Sequence, residues 1–214
     1  MTIIGLGYNV RSGKDTAANA LVRDLGYYRI AFADKLKELA YESNPIVTTN
    51  VQVVNISTGA GHLKHVVGGM GGWEQAKDSY PLAREFLQNL GLAARQVFGE
   101  DFWVDQALSG IDPAKNYVIS DVRFVNEVDA IKAAGGIVIH VDRKLQRTAG
   151  HVSETELDDY DGWDAVLDNS NGTAMDLERR AVELVTELTT PKPKVKVAEM
   201  KVADKLEPAK AADK

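Results

Sequence analysis

The residues best suited to chemistry come early. Gly13-Lys14-Asp15-Thr16 follows the apolar run Ile3-Ile4-Gly5-Leu6-Gly7 and opens a stretch with helical spacing. A buried strand, a glycine-bounded turn and a helix whose first residue is lysine make a cradle for phosphate. Turn amides and the free N–H groups of the helix end surround the anion, and the helix dipole adds attraction. Lys14 supplies a point charge for the outer phosphates, and Gly13 lets the backbone turn where a side chain would collide. The usual spacing, G-x-x-x-x-G-K-[ST], would put glycine at Tyr8. Here Gly7 opens a loop one residue longer, running through Arg11 and Ser12, and Asp15 stands where a hydroxyl is usual, with Thr16 after it.

Phosphate chemistry also asks for a metal and for more cations. Mg²⁺ takes hard oxygen ligands, mostly water with one or two protein groups. Asp15 and Thr16 are the candidates at the loop, and the sequence leaves the choice between them open. Asp121, which ends the apolar stretch Asn116–Ser120, is the further carboxylate for the metal and the reaction, bound directly or through water, because the carboxyl ends of such strands line ligand crevices. Its alternative role is to cap the helix that follows.

The elements that must position these residues alternate. A helix over about 14–24 carries Ala17, Ala20, Leu21 and Leu25 on one face and ends at Gly26. Residues 27–32 form a second strand, and Asp34 caps a helix that Asn44-Pro45 stops. Such alternation is the signature of a parallel sheet. Residues 46–80 contain a β-like stretch, 46–56, and then dense glycines, which read as a mobile loop or functional flap. Pro81 opens a helix with Leu82, Phe86, Leu87 and Leu90 at core spacing, and Arg84, Gln88 and Arg95 lie on its other faces. A short helix around Trp103 follows. A helix over 124–134, strands at 137–141 and 165–167, and a final helix capped by Thr173 complete the series.

Bulk properties set limits. A chain of 214 residues, 44% hydrophobic and 26% charged, reads as one globular domain. There is no cysteine, which excludes disulfides and fits a reducing cytoplasm. No apolar run approaches the roughly 18 residues that span a bilayer, and no signal peptide is evident. The net charge of -6 is uneven: from Thr189 onward seven lysines face four acids, which leaves -9 on the rest. An acidic body argues against a nucleic-acid partner, so any phosphate site is a local basic pocket. Residues 189–214 read as a disordered, lysine-rich tail behind a domain of residues 1–188.

Four stretches together resemble the bacteriophage deoxynucleoside monophosphate kinases, within the P-loop nucleoside monophosphate kinase group. They are Arg11–Thr16, Leu87–Gly91 running on to Arg95 and Phe98–Trp103, Asp121–Glu127, and His151–Glu154, with Asn171-Gly172-Thr173 as a weaker fifth. Val125 stands where proline is expected. The resemblance implies a three-layer α/β/α fold of the P-loop NTPase type, with a central, mainly parallel five-stranded sheet and a lid at 143–163. It implies transfer of the ATP γ-phosphoryl group to a deoxynucleoside monophosphate with Mg²⁺, in the cytoplasm, and a homodimer. The acceptor, a dianion, calls for the planar fork of arginine: Arg95 and Arg123 first, then Arg84 and Arg11. Asp34 is placed near the acceptor, Gln88 and Trp103 near its base or sugar. Arg143 and Arg147 correspond to lid arginines, ordered by His151 and Glu154, and Gly172 offers its backbone to adenine. Dephospho-coenzyme A kinases share the loop, the lid and the Asn-Gly turn. A non-enzymatic nucleotide-binding regulator is the rival of another class.

Overall fold

Ile3–Gly7 (β1) is buried along its whole length, as expected of a parallel strand covered on both faces. The computed structural model describes residues 1–7, 11–50, 54–55, 57–143 and 155–190. Around β1 lie Tyr28–Ile30 (β2), Tyr117–Val122 (β3), Ile137–Asp142 (β4) and Ala165–Asp168 (β5). All pairings are parallel, in the order β2-β3-β1-β4-β5. The chain runs out from β1 to β2, returns through β3 and then crosses to β4 and β5. The sequence direction therefore reverses at β1, and its carboxyl end borders the crevice where ligands of such sheets sit.

Strand periodicity sends alternate residues to opposite faces. Ile4 and Leu6 meet Lys14–Leu25 (α1) and Ala174–Thr189 (α8) through Ala17, Leu21, Leu177 and Val185. Ile3 points the other way, toward Val128 and Ile131 of Val125–Ala133 (α7) and Val104 of Phe102–Leu108 (α6). These two apolar layers give the expected three-layer α/β architecture. Gly136, in the turn before β4, fits only because it lacks a side chain: a Cβ there would lie 2.8 Å from the carbonyl oxygens of both Ile131 and Ile3.

A third core lies beside the sheet. Ala33–Ser43 (α2), Leu63–Gly69 (α3), Trp73–Ser79 (α4) and Pro81–Phe98 (α5) pack through Ala40, Leu63, Val66, Ala76, Ala83 and Leu87. This corrects the sequence reading of 46–80 as a glycine-rich loop. Leu63, Val66 and Val67 repeat at helical spacing, as do Trp73, Ala76 and Tyr80, and Gly71 and Gly72 only turn the chain between the two helices. In the stretch read as β-like, only the bridges Ile46–His62 and Asn55–Ala60 occur among the described residues. Lid residues 144–154 and tail residues 191–214 lie outside the described residues.

Alanine at Gly136 should cost about 1–3 kcal/mol, because backbone atoms cannot yield as a side-chain end can. Alanine at Gly110, which has nothing within 4 Å, should stay within about 0.5 kcal/mol of the parent. Denaturant titration of both variants checks the contrast, and equal losses would refute it.

Candidate active site

The first turn of α1 starts from Gly13, whose φ of 103° lies in the left-handed region, and no side chain caps the helix. Its leading N–H groups therefore remain open to an anion. A side chain at Gly13 would also strike Leu177 Cδ2 at 2.6 Å and Asn169 Nδ2 at 2.8 Å. The loop backbone is tied from two sides: Asn169 Nδ2 donates to the Ser12 carbonyl at 2.8 Å, and Arg143 Nη1 to the Arg11 carbonyl at 3.2 Å. Gly7 abuts the Trp163 ring, which a Cβ would meet at 2.5 Å. Ser12 is buried, and its Oγ lies 3.5 Å from Nζ of Lys14, itself only 8% exposed.

Asp15 is bound to neighbours across the sheet. Its Oδ1 accepts from Arg29 Nη2 at 2.9 Å and from Ser120 Oγ at 3.1 Å. Oδ2 has no partner among the described residues. Thr16, one residue on, is half-buried.

From Lys14 and Asp15 a cleft of about 320 Å³ runs between the sheet and the α2–α5 core. It brings together Arg11, Arg84, Gln88 and Arg95 with Trp103, Asp121 and Arg123, from segments far apart in sequence. Among the described residues eight basic side chains line it against five acidic ones, on an otherwise acidic protein. That imbalance is the local basic pocket that a phosphate site requires.

Three of the arginines have neighbours that hold them. Arg95 stacks its guanidinium 4.0 Å from the centre of the Phe124 ring and donates to Asn126 Oδ1 at 3.1 Å. Arg84 donates to Asp78 Oδ1 at 3.1 Å, an oxygen that Arg11 approaches at 3.4 Å. Trp103 spends its N–H on the Gly91 carbonyl at 3.0 Å, so it offers the cleft a ring face or edge. The Gln88 amide has no hydrogen-bond partner among the described residues.

Other expected residues lie elsewhere. Asp34 accepts from the Ala31 amide at 2.9 Å and lines a separate, more open groove with Glu38, Tyr41 and Trp73. That groove shares Lys37 with the cleft but holds neither Lys14 nor the arginines. Gly172 sits at the start of α8 with φ 117°, against Asp176 and Arg180. Arg147, His151 and Glu154 lie outside the described residues. Sequence reasoning missed Arg29, Lys37, Lys77, Asp78 and Glu127, all of which line the cleft. Arg29 stands fourteen residues from Asp15, so their pairing exists only in three dimensions, and Lys77 and Asp78 fell in the segment read as loop.

Asp121 owes its aim to the sheet. Gly5 pairs with Ile119 but Gly7 with Val122, so β3 carries one extra residue at Ser120–Asp121. Such a bulge redirects side chains. The Asp121 carboxylate accepts from the amides of Phe32 and Ala33, both at 2.9 Å, and so caps α2. The helix that follows β3 is capped instead by Glu127, whose Oε2 accepts from the amides of Arg123 at 2.6 Å and Phe124 at 3.1 Å. Desolvation raises both carboxyls, and Glu127, with Asp121 beside it, is pushed up to about 8. Arg123 pulls both the other way. Among the described residues no three acidic, histidine or cysteine side chains form a metal cluster. A metal that arrives with a nucleotide needs fewer, and the open oxygen of Asp15 is a hard donor of the right kind.

The Glu127 shift sets a pH dependence. Between the ordinary value near 4.5 and about 8 the folded protein keeps a proton that the unfolded chain releases. Stability therefore falls as pH rises across that window and levels off above it. Glu127→Gln mimics the neutral acid and should flatten the fall in melting temperature between pH 5 and pH 8. An equal or steeper fall in the variant would show that Glu127 is ionised in the folded protein.

Comparison with known proteins fits this arrangement. Residues 73–180 match the family described as deoxynucleotide monophosphate kinase. A protein of Acanthamoeba polyphaga mimivirus, provisionally named a deoxynucleotide monophosphate kinase, is 33% identical over 186 residues, covering 79% of this chain and 89% of the relative. That relative is from a mimivirus, whereas the sequence resemblance pointed to bacteriophage. Among solved structures, dephospho-CoA kinase from Campylobacter jejuni overlaps 87% of this chain and 96% of its own, at a TM-score of 0.43 and 13% identity, a likeness too loose to bear on function. Among the described residues no helix is long and apolar enough to cross a membrane. With half its length matched by the family and most of its length shared with that relative, the chain belongs to the deoxynucleotide monophosphate kinase family.

Proposed function

We propose that the protein transfers the γ-phosphoryl group of ATP to a deoxynucleoside monophosphate, giving ADP and the deoxynucleoside diphosphate. The observation that carries this reading is the single cleft joining the glycine-capped start of α1 to Arg84, Arg95 and Arg123. One end suits the donor phosphates, and the other suits a second dianion facing them.

Phosphoryl transfer needs alignment and positive charge more than covalent help from the protein. An oxygen of the acceptor phosphate forms a bond to the γ-phosphorus while the bond from that phosphorus to the β–γ bridging oxygen breaks, and ADP leaves with that electron pair. The attacking oxygen is already ionised, so no general base is required. Lys14 and the amides of residues 13–16 hold the β- and γ-phosphates. Asp15 or Thr16 would hold the Mg²⁺ that accompanies ATP, which would supply positive charge against the developing negative charge. Asp121 acts by fixing the start of α2, because both its oxygens are engaged there.

Arg95 and Arg123 clamp the acceptor phosphate, with Arg84 and Arg11 at the mouth. Gln88 and the Trp103 ring border the nucleoside. Arg143, anchored on the Arg11 carbonyl, stands beside the donor loop, and the sequence resemblance gives Arg147 the role of a second lid arginine. The protein works in the cytoplasm, as a homodimer, without nucleic acid as a partner.

ADP release should appear with ATP, Mg²⁺ and at least one of the four deoxynucleoside monophosphates. Release only with dephospho-coenzyme A, or with none of these acceptors, would overturn the assignment. Lys14→Ala should lower turnover by about 100-fold or more without loss of fold, as loss of a charge-assisted phosphate contact predicts. Arg95→Ala should raise the acceptor KM by roughly 10- to 100-fold with little change for ATP. An effect confined to ATP would reject the acceptor role.

A further inference from the structure

Asp15 poses an electrostatic problem. A carboxylate next to Lys14 in a phosphate site repels the phosphates unless a cation stands between them or the charge is otherwise offset. An acid in the first turn of a helix is favourable to the dipole, but that alone does not call for partners from two other elements. Here β2 and β3 both reach it: Arg29 Nη2 at 2.9 Å and Ser120 Oγ at 3.1 Å converge on the same oxygen, Oδ1. Ser120 is 2% exposed and sits at the β3 bulge, so its hydroxyl is fixed. The Asp15 side chain remains 73% exposed and lines the cleft, with Oδ2 unpartnered among the described residues.

Stability does not account for this arrangement. The ion pair is well exposed, and such pairs contribute little to folding. Its effect is to fix direction: with Oδ1 held from two sides, rotation of the carboxyl group is stopped and Oδ2 keeps one orientation. Arg29 also offsets repulsion that Asp15 would impose on the donor phosphates.

We propose that Arg29 and Ser120 are positioning residues that hold Oδ1 of Asp15 and thereby present its Oδ2 to the Mg²⁺ carried by ATP. The proposal rests on the kinase reading above and chooses Asp15 over Thr16 as the protein ligand. Arg29 acts through Asp15 and does not bind the acceptor.

The test uses the full chain with Arg29→Met, Arg29→Lys, Ser120→Ala and Asp15→Asn, each checked for an unchanged melting profile. Arg29→Met should lower kcat about tenfold, the size expected for losing one charge-assisted contact, and raise the Mg²⁺ concentration for half-maximal rate several-fold. The acceptor KM should stay unchanged. Ser120→Ala should move both quantities the same way by less, and Arg29→Lys should recover part of the loss. Adding Arg29→Met to Asp15→Asn should cost nothing further, since residues acting through one group are not additive.

A second readout needs no turnover. Free Mn²⁺, followed by electron paramagnetic resonance with a non-hydrolysable ATP analogue, should be bound several-fold more weakly by Arg29→Met. A raised acceptor KM with unchanged metal dependence would make Arg29 an acceptor ligand and overturn the proposal, as would additive losses or unchanged Mn²⁺ binding. Failure of the wild type with every deoxynucleoside monophosphate would instead count against the kinase reading, which the Mn²⁺ measurement does not depend on.

Discussion

Mutual repulsion among basic side chains is the constraint on which this structure turns. Eight of them face one cleft of about 320 Å³, and without an anion between them they must be kept apart and in place. The protein does this with carboxylates and an aromatic ring, each set against a cation. Asp15 meets Arg29, Asp78 meets Arg84 and Arg11, and Phe124 lies under Arg95. Guanidinium groups suit such duty because they stack and bond in a plane and still present other N–H groups to a ligand. A lysine-only cleft would hold its charge but not its directions.

The same logic explains why the backbone around the donor loop is overdetermined. A loop whose amides must point inward cannot also satisfy itself, so other elements fix its carbonyls: Asn169 from beyond β5 and Arg143 from beyond β4. Gly13 adopts a left-handed conformation under Leu177, and Arg11 does so without being glycine, at φ 60°. Strain of that kind persists only where the surroundings enforce it. Here they are the carboxyl ends of the neighbouring strands β4 and β5 and the first turns of α8. The apolar layers thus act on chemistry indirectly, by making the loop's conformation the only one that packs.

Much of this was legible in the chain, for physical reasons. Parallel strands buried on both faces appear as continuous apolar runs, and helices with a capping residue appear as periodic ones. β1, α1, α5 and α8 were therefore recognisable, the last down to Thr173 as its cap, whose side chain accepts from the Asp176 amide. The loop and the arginines of α5 were placed by motif and helical phase. What did not show was the pairing across the sheet. Nothing in the one-dimensional pattern marks the extra residue in β3, yet that bulge turns Asp121 toward α2 and Ser120 toward Asp15. Two short helices in 63–79 were hidden because their glycines drew more attention than a repeat only two turns long. With them went Lys77 and Asp78, and so the far wall of the cleft.

The far wall matters because its link to the donor side is weak by construction. Asp78 touches both Arg11 of the loop and Arg84 of α5, but all three side chains are substantially exposed, at 55%, 74% and 38%. Exposed pairs of this type are worth about 0–1 kcal/mol, less than a phosphate dianion gains from an arginine fork. On the proposed kinase reading an incoming phosphate would outcompete Asp78 for its arginines, whereas the buried caps of Asp121 and Glu127 have no such competitor. The mouth of the cleft is thus held by exposed ion pairs and its floor by buried caps. Helices α4 and α5, which carry Asp78 and Arg84, belong to the α2–α5 core and not to the apolar layers that cover the sheet.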